Sequence, residues 1–355
     1  MSLLYTKYKI FHYTDKINSL PETSNEILAP IHVRIKPTNI CNHRCRYCAY
    51  RKDNLQLGQD MAIRDTIPCA KMLEIVDDLS EMGVKAITFS GGGDPLCYPD
   101  IIPTLKRLME TSIQFATLTN GARLQGEIAE LFAHYGTWIR ISMDGWDDAS
   151  YKYYRRAGAN EYSKIINNMR EFKKLDGKCY LGVSLIIDNY NHDKIFDSIQ
   201  RLSDIGVDSV KISPCIISNK GKENNEYHKP LFKQVKRDIQ RARQKFETQN
   251  FQIYDAYHEL DDKFNKPYEW CPYQQILPVI GADLNVYPCQ DKAYNLKASL
   301  GSIAQKRFTD FWFEKKKRFF YIKPSKECSH HCVANEKNQI ILEYLDADKE
   351  HICFV

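Results

Sequence analysis

Cys41, Cys45 and Cys48, in the run Cys41-Asn42-His43-Arg44-Cys45-Arg46-Tyr47-Cys48, are spaced for metal chemistry. Thiolates on one short loop that wraps back on itself converge on a single metal centre. Three protein ligands to a four-iron centre leave one iron open, and a catalytic metal needs an open position. The same trio with His43 as fourth ligand would make a structural zinc site, so the spacing alone leaves both readings open.

A second group lies near the C-terminus. Cys271 and Cys289 flank a predicted hairpin, Cys328 and Cys332 follow with His330 and His331 between them, and Cys353 lies in the tail. Cysteines gathered in a small region of low apolar content suggest a metal centre that substitutes for a core, zinc or iron–sulfur. Cys69, Cys97, Cys179 and Cys215 are scattered singly and read as small buried hydrophobes.

The elements that must position these groups follow an alternating rhythm. Strand patterns at residues 32–37, 85–89, 114–118, 138–143, 180–187 and 209–216 alternate with helical patterns at 69–82, 101–109, 128–135, 162–174, 195–205 and about 227–246. Gly83, Gly136 and Gly206 stand where helices should end. Six such units imply a parallel sheet with right-handed crossovers, as a doubly wound sheet or a partial barrel, with its chemistry at the C-terminal strand ends.

Every other motif falls at such an end. Ser90-Gly91-Gly92-Gly93-Asp94-Pro95 closes the second strand, Thr119-Asn120-Gly121 the third and Ser142-Met143-Asp144-Gly145 the fourth. Glycines let backbone approach a ligand closely, and Asp94 could receive an ammonium group. Small polar groups on successive strand ends suit a ribose and an amino-acid moiety beside a metal.

The CxxxCxxC run after the first strand, with GGGDP after the second, resembles the radical S-adenosylmethionine (radical SAM) superfamily over roughly residues 30–216. The resemblance implies a partial (β/α)6 TIM-like barrel and a catalytic 4Fe–4S cluster on Cys41, Cys45 and Cys48. The open iron would bind the amino and carboxylate groups of S-adenosylmethionine. One electron would then yield a 5′-deoxyadenosyl radical that takes hydrogen from a substrate. Position by position, Gly92, Gly93 and Asp94 match the loop at the methionine amino group, where the family more often has glutamate than aspartate. Tyr47 matches the aromatic position near the adenine, and Ser142, Asp144 and Arg155 resemble ribose- and carboxylate-contacting positions.

With that front domain, the second cysteine group resembles the SPASM/Twitch extension, marked by a cysteine before a hairpin, a glycine within it and the ending Tyr287-Pro288-Cys289. Too few cysteines remain for two auxiliary clusters. The shorter Twitch type implies one auxiliary 4Fe–4S cluster on Cys271, Cys289, Cys328 and Cys332, with Cys353 as a substitute ligand or a tail residue. The expected organisation is an N-terminal extension at 1–30, a radical SAM barrel at 31–249 and an α+β auxiliary-cluster domain at 250–355.

An all-cysteine auxiliary cluster has no open iron, so its expected use is electron uptake from a substrate radical. By analogy with a Twitch enzyme that oxidises an aminocyclitol alcohol, the expected reaction is oxidation, rearrangement or epimerisation of a sugar-like or other small polar metabolite. The alternative is modification of a ribosomally made peptide, which the roughly 30 residues before the first strand disfavour as too few for a leader-binding domain. A third reading is a non-catalytic iron–sulfur or zinc module, against which the Ser90–Pro95 loop argues. An electron donor such as flavodoxin or ferredoxin is expected.

No base or radical partner is assigned; Tyr153, Tyr154, Arg156, Lys211 and Ser213 lie near strand or loop ends facing the expected pocket, but each reads first as a structural or solvent-facing residue. Bulk properties agree with an ordinary globular protein: 355 residues, 43% hydrophobic, 27% charged and a net charge of +5. That charge is too small to predict a nucleic-acid or membrane partner. With no signal sequence or membrane-spanning stretch read at the N-terminus, a cytoplasmic location is expected, in which twelve cysteines are metal ligands or buried residues before they are disulfides. The run Lys315-Lys316-Lys317-Arg318 is expected to be the solvated face of a helix over 309–320.

Overall fold

A computed structural model describes residues 4–53, 55, 57–258 and 263–353. Its strands are β1 (His32–Ile35), β2 (Ala86–Phe89), β3 (Gln114–Thr119), β4 (Trp138–Ser142), β5 (Tyr180–Ile187), β6 (Ser209–Pro214), β7 (Gln252–Asp255), β8 (Val279–Ile280), β9 (Asn285–Tyr287) and β10 (Gly301–Ser302). They form one sheet in the order β10-β9-β8-β1-β2-β3-β4-β5-β6-β7. The pairs from β1 to β7 are all parallel, and β8 joins β1 in parallel before the β8–β9–β10 meander runs antiparallel. The architecture is the expected α/β partial barrel.

Alternation along the strands decides which residues reach the site. On β4, Ile139 and Ile141 are fully buried against the helical layer, while Trp138, Arg140 and Ser142 point to the other face. The helix Cys69–Glu81 places Met72, Ile75, Val76 and Leu79 in the core at helical spacing, packed with Val33 and Ile87. Each such side chain contributes roughly 1.5–3 kcal/mol by leaving water. At the ends of helices Cys69–Glu81 and Ile195–Ile205, Gly83 and Gly206 take φ of 76° and 83°, the left-handed conformation glycine adopts without strain.

Three expectations about the elements themselves change. A single helix over 227–246 is instead two, Gly221–His228 and Phe232–Phe246, because Pro230 interrupts the helical hydrogen bonding. The parallel rhythm continues past residue 250, since β7 pairs with β6. The segment 309–320 divides into an α-helix, Phe308–Glu314, and a 3-10 turn, Lys316–Phe320.

Ile280, Val286, Phe308, Phe311 and Trp312 belong to the same hydrophobic core as the barrel. Asp78 fastens the join, accepting the Phe308 N–H at 2.7 Å and pairing with Arg307. The N-terminal segment packs through Ile10, Ile17 and Leu20 against Ile276 and Ile341 in a separate apolar cluster. Lys316 leaves the expected solvated face, because its Nζ donates to the carbonyls of Ser19, Ser24 and Glu26 at 2.5, 2.6 and 2.8 Å. Arg318 is buried on Glu314. Among the described residues, no helix is long and apolar enough to cross a membrane.

Candidate active site

The loop after β1 carries Cys41, Cys45 and Cys48 across the C-terminal mouth of the barrel. Its backbone is pinned from one side by the last carbonyls of the helix Asp148–Arg155: Arg44 N–H donates to Arg155 O and Arg46 N–H to Tyr154 O, both at 3.0 Å. Donors face the sulfurs: His43 N–H at 3.4 Å and Asn120 Nδ2 at 4.0 Å from Cys41 Sγ, and Arg155 Nη1 at 3.5 Å from Cys45 Sγ. Donors of this kind favour thiolates that hold a metal. Burial pushes the free Cys41 thiol up to about 12 and raises that of Cys48, so a bound cation is needed to hold these sulfurs ionised.

The spread of the trio separates cluster from single ion. Among the described residues, the set of three or more His, Cys, Asp or Glu ligand atoms gathered within 4.8 Å of one another is Cys289, Asp291 and His330. The trio is more open than that, whereas sulfurs around one tetrahedral zinc lie about 3.8 Å apart. His43, the candidate fourth zinc ligand, instead points its Nε2 at Glu161, 3.1 Å away. The residues present fit an iron–sulfur cluster.

The glycine loop lies against the cysteine loop, and close packing explains its composition. Gly93 N–H donates to Thr38 O at 3.1 Å and Asp94 N–H to Ile40 O at 3.0 Å. A Cβ on Gly93 would stand 2.0 Å from Ile40 O, and one on Gly92 would stand 1.9 Å from Asn39 Oδ1. Asp94 is buried, and its carboxylate accepts from Leu96 N–H (2.9 Å), Thr119 Oγ1 (2.9 and 3.0 Å) and Asn120 N–H (2.7 Å). It braces the ends of β2 and β3. Nearby, Ser90 Oγ and the Tyr47 hydroxyl are buried without a hydrogen-bond partner, which suits a cleft built for a polar ligand.

At the end of β4, Asp144 and Arg155 form a buried ion pair. Burial opposes the Arg155 charge, but Asp144 and the Cys45 sulfur outweigh it and hold the guanidinium protonated. Asp144 also accepts the Ile186 N–H at 2.8 Å. It therefore acts beneath the site, through Arg155.

These elements enclose a cleft of about 1140 Å³, part of it open to solvent. Cys41, Cys45, Cys48, Tyr47, Gly92, Gly93, Asp94, Ser142 and Arg155 line it, and Asp144 does not. Tyr153, Tyr154, Arg156, Lys211 and Ser213 are also absent from its wall. The Tyr154 hydroxyl donates to Asp188 at 2.7 Å, and Tyr153 is exposed, stacked on Arg46. Sequence reasoning missed Arg34, Arg51 and Gln290 in the wall. For Arg34, its place on the site-facing side of β1 was a readable signal. For Gln290 there was none, because its contacts span more than two hundred residues.

Cys271, Cys289, Cys328 and Cys332 line a second cavity, with His330, Lys266 and Lys292 among its other walls. The two buried ammoniums would offset the charge of thiolates gathered there. Asn338 Nδ2 donates to Cys271 Sγ at 3.3 Å. Cys353 is exposed and outside this cavity. Of the scattered cysteines, Cys179 and Cys215 are buried as expected, while Cys69 and Cys97 are only partly so. The Cys97 thiol donates to Asn42 Oδ1 at 3.4 Å, which draws it into the trio loop.

The sequence profile of the radical SAM superfamily matches residues 35–202. An S-adenosylmethionine-dependent nucleotide dehydratase of Lacinutrix mariniflava is 32% identical over 110 residues, 30% of this chain and 22% of that protein. A GTP 3′,8-cyclase of Clostridium perfringens is 24% identical over 179 residues, 50% of this chain and 53% of the cyclase. The chain thus spans between a fifth and about half the length of these curated relatives. The crystal structure of Streptococcus suis SuiB bound to precursor peptide SuiA superposes with a TM-score of 0.62 at 17% identity, over 88% of this chain and 71% of SuiB. That likeness is one of fold.

Proposed function

From membership of the radical SAM superfamily, which residues 35–202 carry, we propose that this chain oxidises or rearranges a small, anionic, polar metabolite with a 5′-deoxyadenosyl radical. A 4Fe–4S cluster on Cys41, Cys45 and Cys48, when bound with S-adenosylmethionine, supplies the electron that makes that radical. The chain's own residues hold and shield the reactants. Arg155 and the His43 N–H face the cysteine sulfurs, and the Ser90, Gly92 and Gly93 wall offers hydroxyl and backbone contacts for the methionine end. Tyr47 lines the part of the cleft suited to the adenine. An external one-electron donor of the flavodoxin or ferredoxin kind is part of this reading.

One observation carries the substrate class. Among the charged side chains lining the cleft, Asp94 is engaged by its three donors, whereas Arg34, Arg51 and Arg155 each keep a buried Nε without a partner; of these three, Arg155 is also paired with Asp144 and Arg34 also donates Nη1 to Gln290. Such groups fit a phosphate or carboxylate. The nucleotide substrates named for the two sequence relatives support a phosphorylated, sugar-containing molecule. The second cavity, with four cysteines and two lysines, supports an auxiliary 4Fe–4S cluster that takes up an electron from the substrate radical.

A second reading, a peptide substrate, draws on the fold shared with peptide-bound SuiB. Substrate-dependent 5′-deoxyadenosine formation separates the two. Nucleotides and sugar phosphates should raise its rate above the substrate-free rate and lose that effect in Arg34→Ala; stimulation by peptides alone would reverse the order of the readings.

A further inference from the structure

Lys36, the residue after β1, is fully buried. Its Nζ donates to Gly91 O at 2.6 Å, to Gln290 Oε1 at 2.9 Å and to the Tyr50 hydroxyl. Each acceptor belongs to a different part of the site. Tyr50 lies two residues after Cys48, Gly91 opens the glycine loop, and Gln290 follows Cys289 of the second cysteine group. Gln290 closes the network by donating to Tyr50 and accepting from Arg34 Nη1 at 3.0 Å.

Three acceptors match the three N–H groups of an ammonium. All three are neutral, and buried charges are normally paired with a charge of opposite sign. Burial, and after it Arg34, hold the Lys36 pKa below the ordinary lysine value, while Asp291, Cys289 and Cys48 are near enough to favour the ammonium. Thiolate-held clusters on both sides would supply the missing negative charge.

We propose that Lys36 is a positioning residue shared by the two cysteine centres. It ties the trio loop, the glycine loop and the auxiliary hairpin to one another, and its charge eases electron uptake at both clusters. The proposal rests on the two-cluster reading above. No side chain in the network is a cluster ligand in that reading, so the lysine acts through placement and field.

The test uses the full chain, reconstituted anaerobically, with iron analysis and redox titration of each cluster followed by electron paramagnetic resonance. Lys36→Met should shift both midpoint potentials to more negative values, and Lys36→Arg should keep them near the wild type. If Lys36→Met assembles poorly, both clusters should be lost together and Lys36→Arg should retain both. Tyr50→Phe, which keeps the ammonium but removes one acceptor, should alter both centres' resonance signals. Unchanged potentials in a fully loaded Lys36→Met protein, or effects confined to one centre in any variant, would overturn the proposal. A wild-type iron content of about four per chain instead of about eight would instead sink the two-cluster reading, before any Lys36 variant is measured.

Discussion

Arg155 Nη1 lies 3.5 Å from Cys45 Sγ, so the last residue of the helix Asp148–Arg155 touches the middle cysteine of the trio. Its other terminal nitrogen pairs with buried Asp144, which holds the guanidinium against the sulfur. Helix, strand end and cysteine loop are thereby fixed to one another.

Removing Arg155 should therefore affect both stability and cluster. Arg155→Met leaves Asp144 buried without its partner, a change that typically costs about 3–5 kcal/mol. Denaturant unfolding of the reconstituted protein measures the stability loss, and iron content measures the cluster. A variant as stable as the wild type and fully loaded would show that the pair has no positioning role.

Gly93→Ala should prevent proper assembly of the site, because its Cβ would meet Ile40 O at 2.0 Å and Asn39 C at 2.5 Å, both backbone atoms. Gly158→Ala is the matched control, with its nearest neighbour the Glu161 Oε2 atom at 3.7 Å. Melting temperature and iron content are expected to fall in the first and stay near wild type in the second. Equal behaviour of the two would contradict the close packing of the loops.

Lys16 provides a pH dependence remote from the site. Burial lowers its pKa to about 7, with Lys316 lowering it further and Glu26 opposing. The folded chain gives up this proton near pH 7, whereas the unfolded chain holds it to the ordinary lysine value of 10.5. Between those values the unfolded state binds more protons, so this group makes stability rise with pH. Denaturation midpoints at pH 7 and pH 9 should show that rise in the wild type and a smaller one in Lys16→Met.

The second cysteine group is tested by single substitutions. Alanine at Cys271, Cys289, Cys328 or Cys332 should reduce iron from about eight towards about four per chain. Cys353→Ala, at an exposed position outside the cavity, should leave it unchanged. Zinc in place of the missing iron in the wild type would point to the compact set Cys289, Asp291 and His330 as a single-ion site.

The sequence made the barrel legible because β1 to β6 alternate or run apolar and are separated by helices with clear apolar stripes. β7 has four residues, Gln252–Asp255, with one fully apolar aliphatic among them, too little for periodicity to register. The trio and the glycine loop were readable as motifs because their chemistry is local. Asp94 and Asp144 were readable as site residues, but their roles as braces depend on Thr119, Asn120, Ile186 and Arg155, which only the fold brings near. The basic run 315–318 shows the same limit: Lys316 is directed inward by carbonyls almost three hundred residues earlier in the chain.

The most direct measurement is 5′-deoxyadenosine release by the anaerobically reconstituted, reduced chain given S-adenosylmethionine. Release by the wild type, abolished when Cys41, Cys45 and Cys48 are all replaced by alanine, is the result expected of a cluster held by that trio. No release from a wild-type protein with its iron in place, or equal release from the triple variant, would contradict it.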